Sequence, residues 1–184
     1  MTTNIAVHSC VGLLFLGLSG CATASPDSVE RAKNVNESIP LRVSDAASVF
    51  IVEMVDARLM DYELGKLAAE RGSQLGIRAY GQRMVLDQPP LLEQLNRLAT
   101  ASRVTVPVII GADKREDYKE LLTLESESFD TAFIASMRKA HRRDVSRFKQ
   151  AMLLPDPAVA AFAAAKLPVI ESHLQGIENI EPAH

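Results

Sequence analysis

Apolar residues recur at intervals of three and four along four long stretches of the chain, the spacing that lines one face of an α-helix. The first opens at the N-cap signal Ser44-Asp45, runs to Arg71 and is closed by Gly72. The second, Leu75–Ser102, follows after a very short turn, which predicts an antiparallel hairpin with the first. Pro89 and Pro90 inside it remove backbone donors and predict a kink or break just after Asp87. Residues 104–110 alternate β-branched residues with a proline, but no second strand-like run exists to pair with them, so an extended connection is expected. A short helix over 114–124, a break over 125–128 and a long helix from Phe129-Asp130 to Met152 follow. Pro155 and Pro157 end that helix and start the last, 158–180, which Pro168 is expected to kink. Two helical hairpins predict an all-α, up-down four-helix bundle with an extra short helix, spanning residues 44–181 as one domain.

Each stripe carries a polar residue near its middle. The first reads Phe50, Met54, Ala57, Asp61, Leu64, Ala68, and the second Ile77, Met84, Gln88, Leu91, Leu95, Leu98. The third reads Ile134, Met137, His141, Val145, Phe148, Met152, and the fourth Phe162, Ile170, His173, Ile177, Ile180. A buried carboxylate needs an imidazolium, an amide or a metal ion as partner, so Asp61, Gln88, His141 and His173 are candidates to converge. Counted from the turns, His173 lies about six residues past the level of His141, an axial offset of about 9 Å. The alternative is that they are separate core residues, each satisfied locally. No helix carries the Glu-x-x-His pairs that build di-iron carboxylate bundles.

The chain before residue 44 has a different character. Residues 5–18 form an apolar run too short to span a bilayer, which reads as a signal segment over 1–20, although no Lys or Arg precedes it. It ends in Leu18-Ser19-Gly20-Cys21, which resembles the lipobox of bacterial lipoproteins. That resemblance implies a diacylglycerol on the Cys21 thiol and Cys21 as the first mature residue. Each buried methylene contributes about 0.8 kcal/mol, so two or three long chains anchor firmly. The alternatives are an ordinary secretory signal cut near residues 22–25 and a buried structural cysteine. Ala22 stands where an Asp would favour inner-membrane retention, so by analogy with enteric lipoproteins the expected location is the periplasmic face of the outer membrane. Residues 21–43, polar and without sustained period, read as a lipidated flexible tether. Cys10 leaves with the signal, so the mature chain holds no internal disulfide.

Composition narrows the function classes. With 20 basic and 23 acidic residues the net charge is −3, which gives no basic field for nucleic acid. Trp is absent and aromatics are 5%, which favours helix packing over strand pairing. Neither a nucleophile–base motif nor a phosphate loop nor a cysteine-rich metal signature occurs, so no catalytic activity is assigned.

From about Phe50 to Ile177 the chain resembles the envelope family described as domain of unknown function 4142. The resemblance is carried by Asp61-Tyr62-Glu63-Leu64-Gly65-Lys66-Leu67-Ala68, Gln82-Arg83-Met84-Val85-Leu86-Asp87, Phe129-Asp130, His141, and Leu167-Pro168 leading to His173-Leu174. It implies a ferritin-like bundle in secreted or lipid-anchored proteins, with acidic and histidine positions that suggest metal binding. The chain has Asp87-Gln88 where the family usually has Asp-His, and a carboxamide is a poor transition-metal ligand.

Arg138, Lys139, Arg142, Arg143, Arg147 and Lys149 make one face of the third long helix basic. That face suits an anionic surface or an acidic envelope partner, or is an ordinary solvated helix face. Asp144, one turn from His141, is placed to orient its imidazole. Two functions follow as expectations. One is a membrane-anchored envelope protein with a binding or structural role and no cofactor. The other is a ferritin-like protein with redox or storage activity, holding a transition metal through Asp61, His141 and His173, with Asp87 or Glu171 as further donors.

Overall fold

A computed structural model describes residues 27–181. The signal segment and Cys21 lie outside the described residues. Six helices follow in order: α1 (Ser28–Ser38), α2 (Asp45–Arg71), α3 (Leu75–Ser102), α4 (Ala112–Thr123), α5 (Ser126–Ala151) and α6 (Pro157–Glu178). No strand occurs among the described residues, so the all-α expectation holds. No helix there is long and apolar enough to cross a membrane.

The expectation of a flexible tether is corrected over 28–38, which form α1. Asp27 caps it, its carboxylate accepting from the backbone N–H of Val29 at 2.6 Å. Only Ala32 and Asn36, one turn apart, are buried, so no apolar stripe marked the helix in the sequence. Ala32 and Val29 pack on the core, and polar contacts add to them: the Asn36 side chain donates to the Thr105 carbonyl at 2.9 Å and accepts from the Thr105 N–H at 2.7 Å.

α2 is the central element, packed against α1, α3, α4 and α5. Its backbone approaches that of α3 closely because two glycines face each other. A Cβ on Gly81 would lie 2.6 Å from the Gly65 carbonyl oxygen, and one on Gly65 would lie 2.7 Å from the Met84 Cβ. α3 packs on α6, α6 on α5 and α5 on α2, which closes a ring of four helices with antiparallel neighbours.

The connection between the hairpins is longer than a simple up-down order implies. α3 ends beside the start of α2, where Arg42 N–H donates to the Ser102 carbonyl. α5 begins at the opposite end, beside the α2–α3 turn. Residues 103–125, including α4, therefore run the length of the bundle, a crossover that ferritin-like bundles share. Residues 104–110 form neither helix nor strand, as expected of a connection, but the chain bends at Val108 and Ile109 instead of staying extended throughout.

Both ends are tied by carboxylates that cap helices from another element. Asp130 in the first turn of α5 accepts from Ser73 N–H at 3.0 Å, Ser73 Oγ at 2.6 Å and Gln74 N–H at 2.9 Å, holding the α2–α3 turn and the entry to α3. At the other end Asp156 accepts from Ser44 N–H at 2.9 Å, at the start of α2.

The expected break at Pro89-Pro90 does not form, and α3 runs unbroken through both prolines. The carbonyls that lose a helical donor are those of Val85 and Leu86, and with Pro89, Pro90 and Leu86 exposed and Val85 half-buried, water can reach that face of the helix. α6 continues in the same way through the exposed Pro168.

The apolar interior divides into two clusters. One, around Phe50, Ile51, Leu95, Phe148 and Ile170, fills the end where α2 begins. The other, around Leu64, Ile77, Met84, Phe129, Phe133, Met137 and Ile177, fills the end where α2 finishes. Each long helix passes from one cluster to the other across a polar residue. The changeover falls at Asp61 in α2, Gln88 in α3, His141 in α5 and His173 in α6, all buried.

Candidate functional site

The polar layer between the two clusters is where candidate chemistry concentrates. Four buried side chains form its centre: Arg58 and Asp61 from α2, and His141 and Asp144 from α5. In both helices the pair is three residues apart, which puts both members on one face.

Arg58, with 0% of its surface exposed, is the residue the sequence did not single out. One of its terminal nitrogens, Nη2, bonds directly to Asp144 Oδ2 and also lies 2.8 Å from Asp61 Oδ2. The Asp61 contact is an ion pair without hydrogen-bond alignment, and Nε and Nη1 of Arg58 have no acceptor. Burial opposes the guanidinium charge, but Asp61 and Asp144 together outweigh it and hold the Arg58 pKa above its usual range. One permanent cation thus faces two carboxylates in the buried interior. Burial pushes the Asp61 carboxyl up to about 6, with Asp144 reinforcing the rise and Arg58 opposing it.

His141 touches this group from α5, with Nδ1 4.0 Å from Asp61 Oδ2, and neither ring nitrogen has a hydrogen-bond partner. Burial first and the Arg58 charge second push its pKa down to about 3, so the ring is neutral near pH 7. His173 stands beside it, ring centroids 5.6 Å apart. The axial offset expected from counting residues is closed by side-chain direction. Helical side chains lean toward their own N-terminus, and α5 and α6 are antiparallel, so the two rings lean toward each other.

His173 leads from the layer to the surface. Its Nε2 lies 2.9 Å from Oδ2 of the half-buried Asp87, which also accepts from Arg83 Nε at 3.2 Å. Nδ1 of His173 has no partner, while its backbone carbonyl accepts from the Tyr80 hydroxyl at 3.2 Å. Burial pushes the His173 pKa down to about 4, against the opposing pull of Asp87. Asp87 borders an open groove between α3 and α6 of about 430 Å³, lined also by Arg83, Gln94, Lys166 and Ser172.

Of the residues the sequence nominated, Asp61 and His141 come together and His173 joins them through ring contact. Asp144 completes the group as an ion-pair partner of Arg58, not as the expected hydrogen-bond acceptor for His141. Gln88 is buried but donates only to the Met84 sulfur at 3.3 Å, and its Oε1 has no partner. Glu171 stands apart on the surface, paired with Lys149 at 3.0 Å.

Asp61, His141 and Asp144 each offer a donor atom, all within 4.8 Å of one another. Two carboxylates and a neutral imidazole suit a first-row transition ion. The Arg58 guanidinium stands against it, because it already supplies the positive charge those carboxylates need. A divalent ion there would sit beside a buried cation unless Arg58 turned away.

The basic face of α5 is largely engaged within the fold. Arg142 pairs with Glu178 at 2.7 Å, Arg147 with Glu53 at 2.8 Å and Lys149 with Glu171 at 3.0 Å. Arg138 donates to the Glu178 and Ile180 carbonyls at 3.2 and 2.7 Å, where the end of α6 has surplus acceptors.

A family model described as "Domain of unknown function (DUF4142)" matches residues 33–180, most of the chain. No curated protein and no solved structure matches.

Proposed function

The chain belongs to the DUF4142 family, and from that premise we propose that it is a lipid-anchored protein of the bacterial envelope whose helical bundle has a binding or structural role without catalysis. The anchor is Cys21, preceded by Leu18-Ser19-Gly20, and the location is the periplasmic face of the outer membrane. The observation that carries the non-catalytic role is the buried Arg58 between Asp61 and Asp144. A centre that supplies its own counter-charge with these side chains fully buried acts as a polar lock between the hairpins rather than as a place where substrate turns over. The α5 cations stitch that helix to α2 and α6, which favours an envelope protein as partner over an anionic surface read by that face. Replacing Cys21 with Ala tests the anchor. Fatty-acid labelling and membrane association are expected to vanish together, and labelling that persists in the variant would overturn it.

A second reading is favoured by the two unpartnered nitrogens of His141. A fully buried neutral imidazole beside two carboxylates lacks the partner that buried polar atoms ordinarily have. A transition-metal ion held by Asp61, His141 and Asp144, with His173 adjoining, would supply it and would make the protein a metal-binding member of the family with redox or storage activity.

A further inference from the structure

Residues 104–111 cross the flank of the bundle as an irregular segment that bends at Val108 and Ile109 and is fixed at three points. The Thr105 backbone exchanges two hydrogen bonds with the Asn36 side chain, Val108 N–H donates to Ser28 Oγ at 3.1 Å, and Gly111 N–H donates to Asp56 Oδ1 at 2.7 Å. Val104 and Pro107 turn inward. Val108 and Ile109 turn outward, 83% and 58% exposed, two consecutive aliphatic side chains held in water on a pinned backbone. A flexible loop could fold such residues back; this one is clamped from both sides.

The clamp places the aliphatic pair at the point where the described chain begins. Ser28, which holds Val108, is the first residue of α1, and Cys21 lies seven residues before it. Fully extended, that stretch reaches at most roughly 25 Å. A bundle tethered there is attached by its flank, beside Val108 and Ile109, rather than by either end. We propose that Val108 and Ile109 form an apolar tip that enters the phospholipid surface beside the anchor and holds the bundle on its flank against the membrane. This rests on the lipid-anchor reading of Cys21. The first turns of α1 and α4 near the tip carry both signs, Glu30 with Arg31 and Asp113 with Lys114 and Arg115, so the contact is apolar and does not require anionic lipid.

The sequence contains no Trp, so one introduced Trp is a unique reporter. Lipidated full-length protein carrying Ile109→Trp is reconstituted into phosphatidylcholine vesicles with brominated acyl chains. Leu153→Trp, at an 86%-exposed position in the α5–α6 turn, serves as the control. Severalfold stronger bromolipid quenching at position 109 than at 153, with reduced quenching by aqueous iodide, is the expected result. Equal quenching at both positions in protein that floats with the vesicles overturns the tip and leaves the anchor standing. Protection from both quenchers at 109 also overturns it, since another protein surface or a second copy would then cover the tip. Absence of lipid on Cys21, read by labelling and flotation, overturns the anchor and the tip together. Val108→Asp with Ile109→Asp is expected to float normally while an added protease cleaves the flank several times faster, and unchanged cleavage counts against the tip.

Discussion

Arg58 of α2 and Asp144 of α5 form an ion pair in which neither side chain has any exposed surface, at the level where the two apolar clusters meet. The pair crosses between the hairpins, α2–α3 and α5–α6, and so fixes their relative register. Its net contribution against a well-packed apolar pair is near zero or negative, because both ions were taken out of water. Its disruption is another matter. Arg58→Leu leaves Asp61 and Asp144 buried without a cation, and a loss of about 3–5 kcal/mol in urea unfolding is expected. Asp144→Leu on the same background should cost far less than it does alone. Losses that simply add, within about 0.5 kcal/mol, would show that the two residues do not act as a unit.

The Asp130 carboxylate predicts a second large effect. It accepts three hydrogen bonds from Ser73 and Gln74, joining the start of α5 to the entry of α3. Asp130→Ala should cost about 1.5–3 kcal/mol, since three donors at the entry to α3 lose a buried, charged acceptor. Asp27→Ala removes a comparable cap from the short α1 and should cost under about 1 kcal/mol. Similar losses for the two would mean that the cap at Asp130 acts only locally.

Acid should unfold the protein through its buried imidazoles. The pKa values of His141 and His173 are depressed to about 3 and about 4, against about 6.5 unfolded. The unfolded chain therefore binds protons that the folded one refuses. Stability is fully present above about pH 6.5 and falls as pH drops toward those folded values, with a slope approaching about 1.4 kcal/mol per pH unit for each ring. Asp61 works the other way. Raised to about 6, it binds its proton more tightly when folded, which adds stability as pH falls from 6 toward 3.8. Two histidines outweigh one aspartate, so the melting temperature should drop between pH 6.5 and 4. His141→Leu should flatten that drop, and an unchanged acid limb would remove His141 as its source.

Much of this layer was legible because four of its members interrupt apolar stripes. Asp61, Gln88, His141 and His173 stand where Leu or Ile would be expected, and that alone identified them. Arg58 escaped because α2 buries residues around most of its circumference, so a stripe through Met54, Ala57 and Asp61 could be drawn without it. The signal was present in the Arg58–Asp61 spacing of three, but a fully buried Arg is rare enough to be passed over. Asp144, the hydrogen-bonded partner of Arg58, is 86 residues away, a pairing that no local pattern encodes. α1 escaped for the opposite reason, since only Ala32 and Asn36 are buried and much of its hold on the bundle is by hydrogen bonds that no apolar stripe announces. The α3 boundaries, Leu75 and Ser102, are legible because the Gly72 stop and the long 3.6-residue period both survive in the fold.

The metal question turns on Arg58. Asp61, His141 and Asp144 present donors within 4.8 Å of each other, and the imidazole is in the neutral form that metals require. Against them stands a guanidinium in ion contact with both carboxylates. Protein purified without chelator should therefore carry well under one equivalent of transition metal. Arg58→Met removes the competing cation while keeping a side chain of similar length, and exposes the carboxylates to any divalent ion that enters. The variant should be destabilised alone and rescued by zinc or cobalt, with a melting temperature that rises with metal concentration as linkage demands. Adding His141→Ala should abolish the rescue, because the nitrogen donor is gone. Gln88→His, which restores an imidazole to α3 in the same layer, should raise affinity if its ring reaches the group. If the unaltered protein instead retains stoichiometric iron or zinc through dialysis, and His141→Ala and Asp61→Ala both lose it, then Arg58 must yield its place in the folded protein and the bundle is a metal-binding protein.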